Sequence, residues 1–185
     1  ADDGEREVAL RPDGRFVSRL IPYTPQSAPE VKLKTAVSGQ PYRIGITEPG
    51  ILDNLVRQPL LRQQPGSGEV EIEVRATGLN FMNVMSALGI YPGYERGVGP
   101  LGVECAGVVT AVAADITQFQ AGDAVMGVVF DSLGSHAITD ARLLVHKPAS
   151  YTFAEAATMP IVFLTAYYAL FRLGHLRAGE RALIH

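Results

Sequence analysis

Residues 69–76 place the strongest constraint on the fold, because Val70, Ile72 and Val74 alternate there with Glu69, Glu71, Glu73 and Arg75. Successive side chains of a strand leave on opposite faces, so this stretch predicts a β-strand with one face in a core and a charged face toward solvent. Residues 103–113 complement it, being apolar on both faces, as a central strand is. Shorter candidates surround the pair. Residues 42–46 and 54–61 are separated by Glu48-Pro49-Gly50, Pro65-Gly66-Ser67-Gly68 is a strong turn, and 124–130 and 136–146 each read as one further strand. Short strands at this spacing imply an all-β architecture, a small barrel or partly closed sheet.

The period changes after residue 150. Thr152-Phe153-Ala154-Glu155 has the form of a capping box, in which threonine and glutamate close the free amides of a starting helix. Pro160 suits the first turn of a second helix running to about Leu173, with Gly174 as a left-handed stop. Residues 181–185, Arg-Ala-Leu-Ile-His, read as the start of a buried parallel strand. Such a strand cannot bury both faces alone, so the chain is expected to be truncated there. Near the other end, Val8 and Leu10, the turn Pro12-Asp13-Gly14, and Phe16, Val17 and Leu20 predict a hairpin over 7–20, followed by a proline-broken linker over 24–41. The expected organisation is hairpin and linker at 1–41, barrel at 42–150, and helices with a first strand at 151–185.

Composition excludes several classes. The 47% apolar content over 185 residues is enough for a folded core. With a net charge of -3 and 16 basic residues spread along the chain, no stripe for a phosphate backbone exists, and nucleic acid is not an expected partner. The single cysteine, Cys105, excludes an internal disulfide and a multi-cysteine zinc cluster; in an apolar run it is expected to be buried and inert, in a reducing, cytoplasmic setting. The opening ADDGEREVAL lacks the apolar core of a secretory signal. The uncharged, apolar stretch 156–171 is interrupted by Pro160 and is shorter than the roughly 20 residues of a membrane span, so no span is expected.

Residues 78–107 hold the side chains best placed to meet a small molecule. Asn80, Asn83, Tyr91, Tyr94 and Glu104 lie in or beside glycine turns, where backbone approaches a ligand closely, and together they read as one wall of a cleft. Gly97-Val98-Gly99-Pro100-Leu101-Gly102 spells the dinucleotide fingerprint, but a loop precedes it, a strand follows it, and Pro100 removes an amide; it reads as a turn. Asp131, Ser132, Ser135, His136 and Asp140 have the residue types of a hydrolase triad without a GxSxG elbow, so they read as surface serines in a glycine loop. His136, His146, His175 and His185 show no ligand spacing, and no metal is expected.

In this order, GLNFMNVMSALGIYPG, LGVECAGVVTAV, GDAVMGVV, TDARLLVHKP and EAATMPIVFLTAYYAL resemble the enoyl reductase domains of modular type I polyketide synthases, in the zinc-independent branch of the medium-chain dehydrogenase/reductases. The resemblance covers 43–185 and is similar in kind to a mycobacterial phthiocerol-type lipid synthase. It implies a fold that is mainly β with C-terminal helices, a GroES-like, partly open β-barrel cut before a Rossmann domain that binds NADPH. It also implies reduction of the α,β double bond of an enoyl thioester on an acyl carrier protein, with other synthase domains as partners and no turnover by this part alone. Zinc-dependent relatives place a cysteine near the position of Asn80 and a histidine before the glutamate that matches Glu104; Asn80 and Val103 cannot replace them as ligands.

The resemblance matches Tyr91 to a tyrosine associated with protonation of the α-carbon, the alternative being an aromatic that shapes the acyl pocket, with Tyr94 beside it. It matches Asn80 to a position facing the nicotinamide end of the cofactor, the alternative being a turn residue bonding its own backbone. Thr165 matches a helix position facing the cofactor, the alternative being a hydroxyl bonded back to a carbonyl. Where relatives commonly have NFRD, this chain has Asn80-Phe81-Met82-Asn83, and the lysine and aspartate that compete as proton donors would lie beyond residue 185. A free-standing quinone reductase and a non-catalytic scaffold barrel are the rival readings.

Overall fold

The computed structural model describes residues 8–17, 39–94 and 97–184, and the chain falls into two compact units, Ala1–Lys32 and Leu33–His185. In the smaller unit, β1 (Val8–Arg11) and β2 (Gly14–Val17) pair antiparallel, with Arg11 opposite Gly14 across the expected Pro12-Asp13 turn. The outer ends of the predicted hairpin, residues 24–38 of the predicted linker, and His185 lie outside the described residues.

The larger unit begins with a hairpin of β3 (Tyr42–Ile46) and β4 (Leu55–Pro59). Then come β5 (Glu69–Thr77), helix α1 (Phe81–Ala87), β6 (Glu104–Val112), β7 (Ala124–Val128), β8 (His136–Asp140) and β9 (Leu144–His146). The last five strands form one antiparallel sheet in the order β8-β5-β6-β7-β9. The sheet stays open at its two edge strands, β8 and β9, and does not close on itself as a barrel. The β3–β4 hairpin is laced to the segment before β8 by Ile44 N–H to Leu133 O at 2.8 Å and Ser135 N–H to Tyr42 O at 2.8 Å.

Val70 and Ile72 are fully buried, as the alternation requires, and pack with Val109, Phe119, Val125, Val129 and Leu144. Across the sheet, Ala106 packs against Ala156 and Ala157 of helix α2 (Phe153–Ala157), whose Thr152–Glu155 capping box forms as expected. Alanine on both sides lets the helix approach the strand closely, and this contact positions the segment that follows.

The structure corrects five sequence expectations. Glu71, assigned to the solvent face of β5, is only 2% exposed. Arg62 folds over it, donating from Nε at 2.9 Å and Nη2 at 2.5 Å, and Thr110 donates at 2.5 Å. Residues 136–146 are two strands, because Asp140 accepts from the Arg142 amide at 2.8 Å, caps a tight turn over Ala141–Leu143, and sends β9 to the opposite edge of the sheet. The crossing after β5 contains α1, whose start is closed when Asn83 Oδ1 accepts from the Asn80 N–H at 2.8 Å. The second C-terminal helix, α3 (Pro160–Tyr167), passes into a π-helical turn over Tyr168–Leu173, and the left-handed residue is His175 (φ 49°), whereas Gly174 (φ -77°) remains right-handed. Residues 181–184 form no strand, and Leu183 and Ile184 are exposed; the described residues offer them no parallel neighbour.

Cys105 is buried, and burial first, with the Glu104 charge adding, pushes its thiol up to about 12. Among the described residues no helix is long and apolar enough to cross a membrane.

The Glu71 carboxyl is held below its ordinary range chiefly by its hydrogen bonds from Arg62, with Thr110 assisting and burial opposing. A group whose folded pKa is depressed adds stability above its unfolded value, and that stability is lost as pH falls through the folded value. The thermal midpoint is therefore expected to decline as pH is lowered from about 5. Glu71→Gln should melt lower at neutral pH and show a shallower acid decline; an unchanged decline in thermal melts by circular dichroism would remove Glu71 from this role.

Candidate active-site cleft

The site is built where β5, β6 and α3 converge. Gly78 follows β5 and donates its N–H to the Glu104 carbonyl at 3.2 Å. A Cβ on Gly78 would stand 2.5 Å from the Ala157 carbonyl oxygen and 2.5 Å from Glu104 Oε1, so this crossing excludes any side chain. Asn80 then begins α1, with its side chain facing the Asn83 amide in return for the bond that Asn83 gives it.

Glu104 is 2% exposed, and both oxygens of its carboxylate accept hydrogen bonds. Asn80 Nδ2 donates to Oε1 at 2.7 Å, and the Ile161 amide donates to Oε2 at 2.8 Å. Pro160 occupies the first position of α3, where its missing N–H costs nothing, and the next amide meets the carboxylate. A negative group at this end of a helix also opposes the helix dipole favourably. One carboxylate thus joins the crossing after β5 to the helix α3.

Ser132 is not a surface serine. It is fully buried, donates to the Glu104 carbonyl at 3.1 Å, and accepts on its own carbonyl from Thr77 at 2.7 Å. Ser135 accepts from the Tyr42 amide at 2.8 Å and lies 3.1 Å from His136 Nδ1. The Asp131 carboxylate accepts from the Leu101 amide at 3.2 Å, and that of Asp140 is paired with Arg142. The residue types of a triad are thus engaged in separate structural bonds. His136 is pulled below its ordinary value, first by burial and then by the charge of Arg62.

Tyr91 and Tyr94 lie together on the loop after α1, their rings 5.3 Å apart. The Tyr91 N–H donates to the Gly97 carbonyl at 2.9 Å, and its ring packs so closely on Gly99 that a Cβ there would be 2.7 Å from Cδ1. The Tyr91 hydroxyl makes no hydrogen bond among the described residues. Tyr94, half exposed, lines a hollow of about 440 Å³ with Val98, Gly99, Pro100, Phe130 and Asp131. The fingerprint-like run is a turn as expected: Gly97 and Gly102 have φ of 68° and 87°, and β6 follows.

Thr165 is exposed on α3, one turn beyond Ile161, in a hollow shared with Leu164, Tyr168 and Arg172. Asn80, Glu104 and the head of the helix bearing Thr165 are therefore brought together, while Tyr91 and Tyr94 form a second group on the loop. The role of Glu104 escaped the sequence reading, although one carboxylate inside an otherwise apolar strand was its signal. Val103 is buried and the Asn80 amide is committed to Glu104; among the described residues no three His, Cys, Asp or Glu side chains gather as a metal site.

Residues 66–164 match the alcohol dehydrogenase GroES-like domain family, which places the fold in the class of medium-chain dehydrogenases and reductases. Erythronolide synthase EryA2 of Saccharopolyspora erythraea is 40% identical over 181 residues, covering 97% of this chain and 5% of that protein. A phenolphthiocerol/phthiocerol polyketide synthase of Mycobacterium tuberculosis is 35% identical over 189 residues, covering 97% of this chain and 9% of that one. Among solved structures, CurK enoyl reductase has a TM-score of 0.73 at 42% identity, covering 77% of this chain and 46% of its own. Escherichia coli quinone oxidoreductase complexed with NADPH has a TM-score of 0.62 at 29% identity, covering 71% and 41%. The chain belongs to the GroES-like domain family, in the branch formed by the enoyl reductases of modular polyketide synthases. It spans a small share of the synthases and under half of the solved reductases it matches.

Gly78→Ala is expected to destabilise the protein by about 2 kcal/mol, because neither the Ala157 carbonyl nor the bound Glu104 carboxylate can yield without losing a contact. Urea unfolding measures this; an unchanged midpoint would show that the crossing has slack.

Proposed function

We propose that this chain is the substrate-side part of an enoyl reductase that uses NADPH to reduce the α,β double bond of an enoyl thioester tethered to an acyl carrier protein. Residues 42–150 serve as the substrate barrel and 151–185 lead toward the cofactor domain, with other synthase domains as partners. The observation that carries this reading is the Asn80 amide, held by Glu104 beside the head of α3 at the position that resemblance gives to the nicotinamide end of the cofactor. A solved relative that is a quinone oxidoreductase complexed with NADPH supports the choice of cofactor.

The donor set fits one end of that cofactor. A carboxamide is met by groups that donate and accept: the exposed Thr165 hydroxyl does both, and the Asn80 amide keeps one N–H and one oxygen lone pair beyond its bonds to Glu104 and the Asn83 amide. The pyrophosphate has no cradle at 97–102, where a strand follows in place of a helix. Turnover is accordingly expected only when this chain is joined to a dinucleotide-binding domain.

NADPH, when bound, supplies hydride to the β-carbon of the thioester. The electron pair of the double bond then moves toward the thioester carbonyl, leaving an enolate that takes a proton at the α-carbon. Tyr91 carries the O–H for that step: its ring is fixed against Gly99, its hydroxyl has no competing partner among the described residues, and the phenolate left behind regains its proton from solvent. Tyr94 and the hollow beside it hold the acyl chain.

The test follows NADPH oxidation by absorbance in the full-length protein with a short enoyl pantetheine thioester. Tyr91→Phe is expected to lower kcat by about a hundredfold with little change in KM. A raised KM at unchanged kcat would make Tyr91 a pocket wall, and no oxidation by the full-length protein would overturn the reductase reading.

A further inference from the structure

Among the described residues two carboxylates are buried, Glu71 and Glu104, and they are satisfied differently. Glu71 has the Arg62 guanidinium. Among the described residues Glu104 has no cation as a hydrogen-bond partner; its side chain accepts one amide N–H from Asn80 and one backbone N–H from Ile161. A buried carboxylate with only two neutral donors is costly unless both bonds are kept. An apolar residue could fill the same space, so the carboxylate has a use beyond packing.

Its chemistry indicates that use. Both partners are N–H donors, and a carboxylate is the side chain of this length that accepts with both of its atoms. The Asn80 amide is thereby oriented from two sides, with NH₂ toward Glu104 and its side chain also facing the first turn of α1. The second oxygen of Glu104 anchors α3, which carries Thr165 one turn further on. We propose that Glu104 is a positioning residue: one carboxylate sets the orientation of the Asn80 amide and ties it to α3, so that Asn80 and Thr165 hold one spacing toward the nicotinamide end of the cofactor. This rests on the reading of Asn80 given above.

The substitution Glu104→Gln leaves one acceptor and one NH₂, which can satisfy only one of the two donors. If the glutamine oxygen stays on the Ile161 amide, the glutamine NH₂ meets the NH₂ of Asn80. Adding Asn80→Asp removes that conflict, since an aspartate accepts from the glutamine NH₂ and is itself a favoured residue for starting a helix such as α1. Made alone, Asn80→Asp would set a second carboxylate against Glu104 across the 2.7 Å contact that Asn80 now makes. The exchange Glu104→Gln/Asn80→Asp thus restores every donor–acceptor pair with the charge merely moved.

The experiment uses the full-length protein with two readouts, the thermal midpoint without cofactor and the Kd for NADPH by fluorescence titration. The midpoint is expected to fall in Glu104→Gln, fall further in Asn80→Asp, and rise above both in the exchange variant. Glu104→Gln should raise the Kd on the order of tenfold, the loss of one hydrogen bond. Because Glu104 acts through Asn80, adding Glu104→Gln to Asn80→Ala should raise the Kd by less than about twofold more. Asn80→Ala binding NADPH as the wild type does would overturn the reading of Asn80 and the proposal with it. If Asn80→Ala weakens binding, but the exchange variant melts no higher than Glu104→Gln, or the two substitutions add fully, the positioning role of Glu104 alone is overturned.

Discussion

The Glu104 carboxylate lies inside an apolar strand, and the arrangement around it follows from the need to give each of its oxygens a donor. Asn80 supplies one and the first turn of α3 supplies the other. Gly78 must lack a side chain so that the chain can cross between this carboxylate and Ala157. Ser132 holds the backbone of the same residue from behind, and Thr77 holds Ser132. Strand, crossing, loop and helix therefore meet at one residue, through its backbone carbonyl and its carboxylate.

Glu71 shows the other way of burying a carboxylate in the same sheet. Its partner is a guanidinium from a segment that folds over β5, and the pair closes the face that the alternation assigns to solvent. An ion pair of this kind fastens a connection to a sheet. Two N–H donors on Glu104 instead fix the direction in which an amide and a helix point. The first is a matter of stability, the second of aim.

Much of the sheet is legible in the sequence because its cause is local. The alternation of Val70 and Ile72 with charged neighbours, the doubly apolar β6, and the Thr152–Glu155 capping box are each readable within a few residues. The turn nature of the GxGxxG-like run is legible for the same reason, since the strand after it is visible in the sequence. Residues 136–146 read as one strand because the break depends on Asp140 turning back to the Arg142 amide, a choice that alternation does not register. The π-helical turn at Tyr168–Leu173 and the exposed residues 181–184 escape a sequence reading because an apolar run does not reveal whether a neighbour covers it.

The short-strand architecture, the change to helices after residue 150 and the family are all settled by the order of the amino acids, since they rest on periodicity, capping chemistry and ordered blocks of residues. The same order places Asn80, Tyr91, Tyr94 and Glu104 in one stretch. What those residues do to one another came from tertiary packing. Asn80 and Glu104 are 24 positions apart, and Glu104 and Ile161 are 57 apart. Contacts at that separation are made by the packing of whole elements, and neither spacing nor residue type announces them.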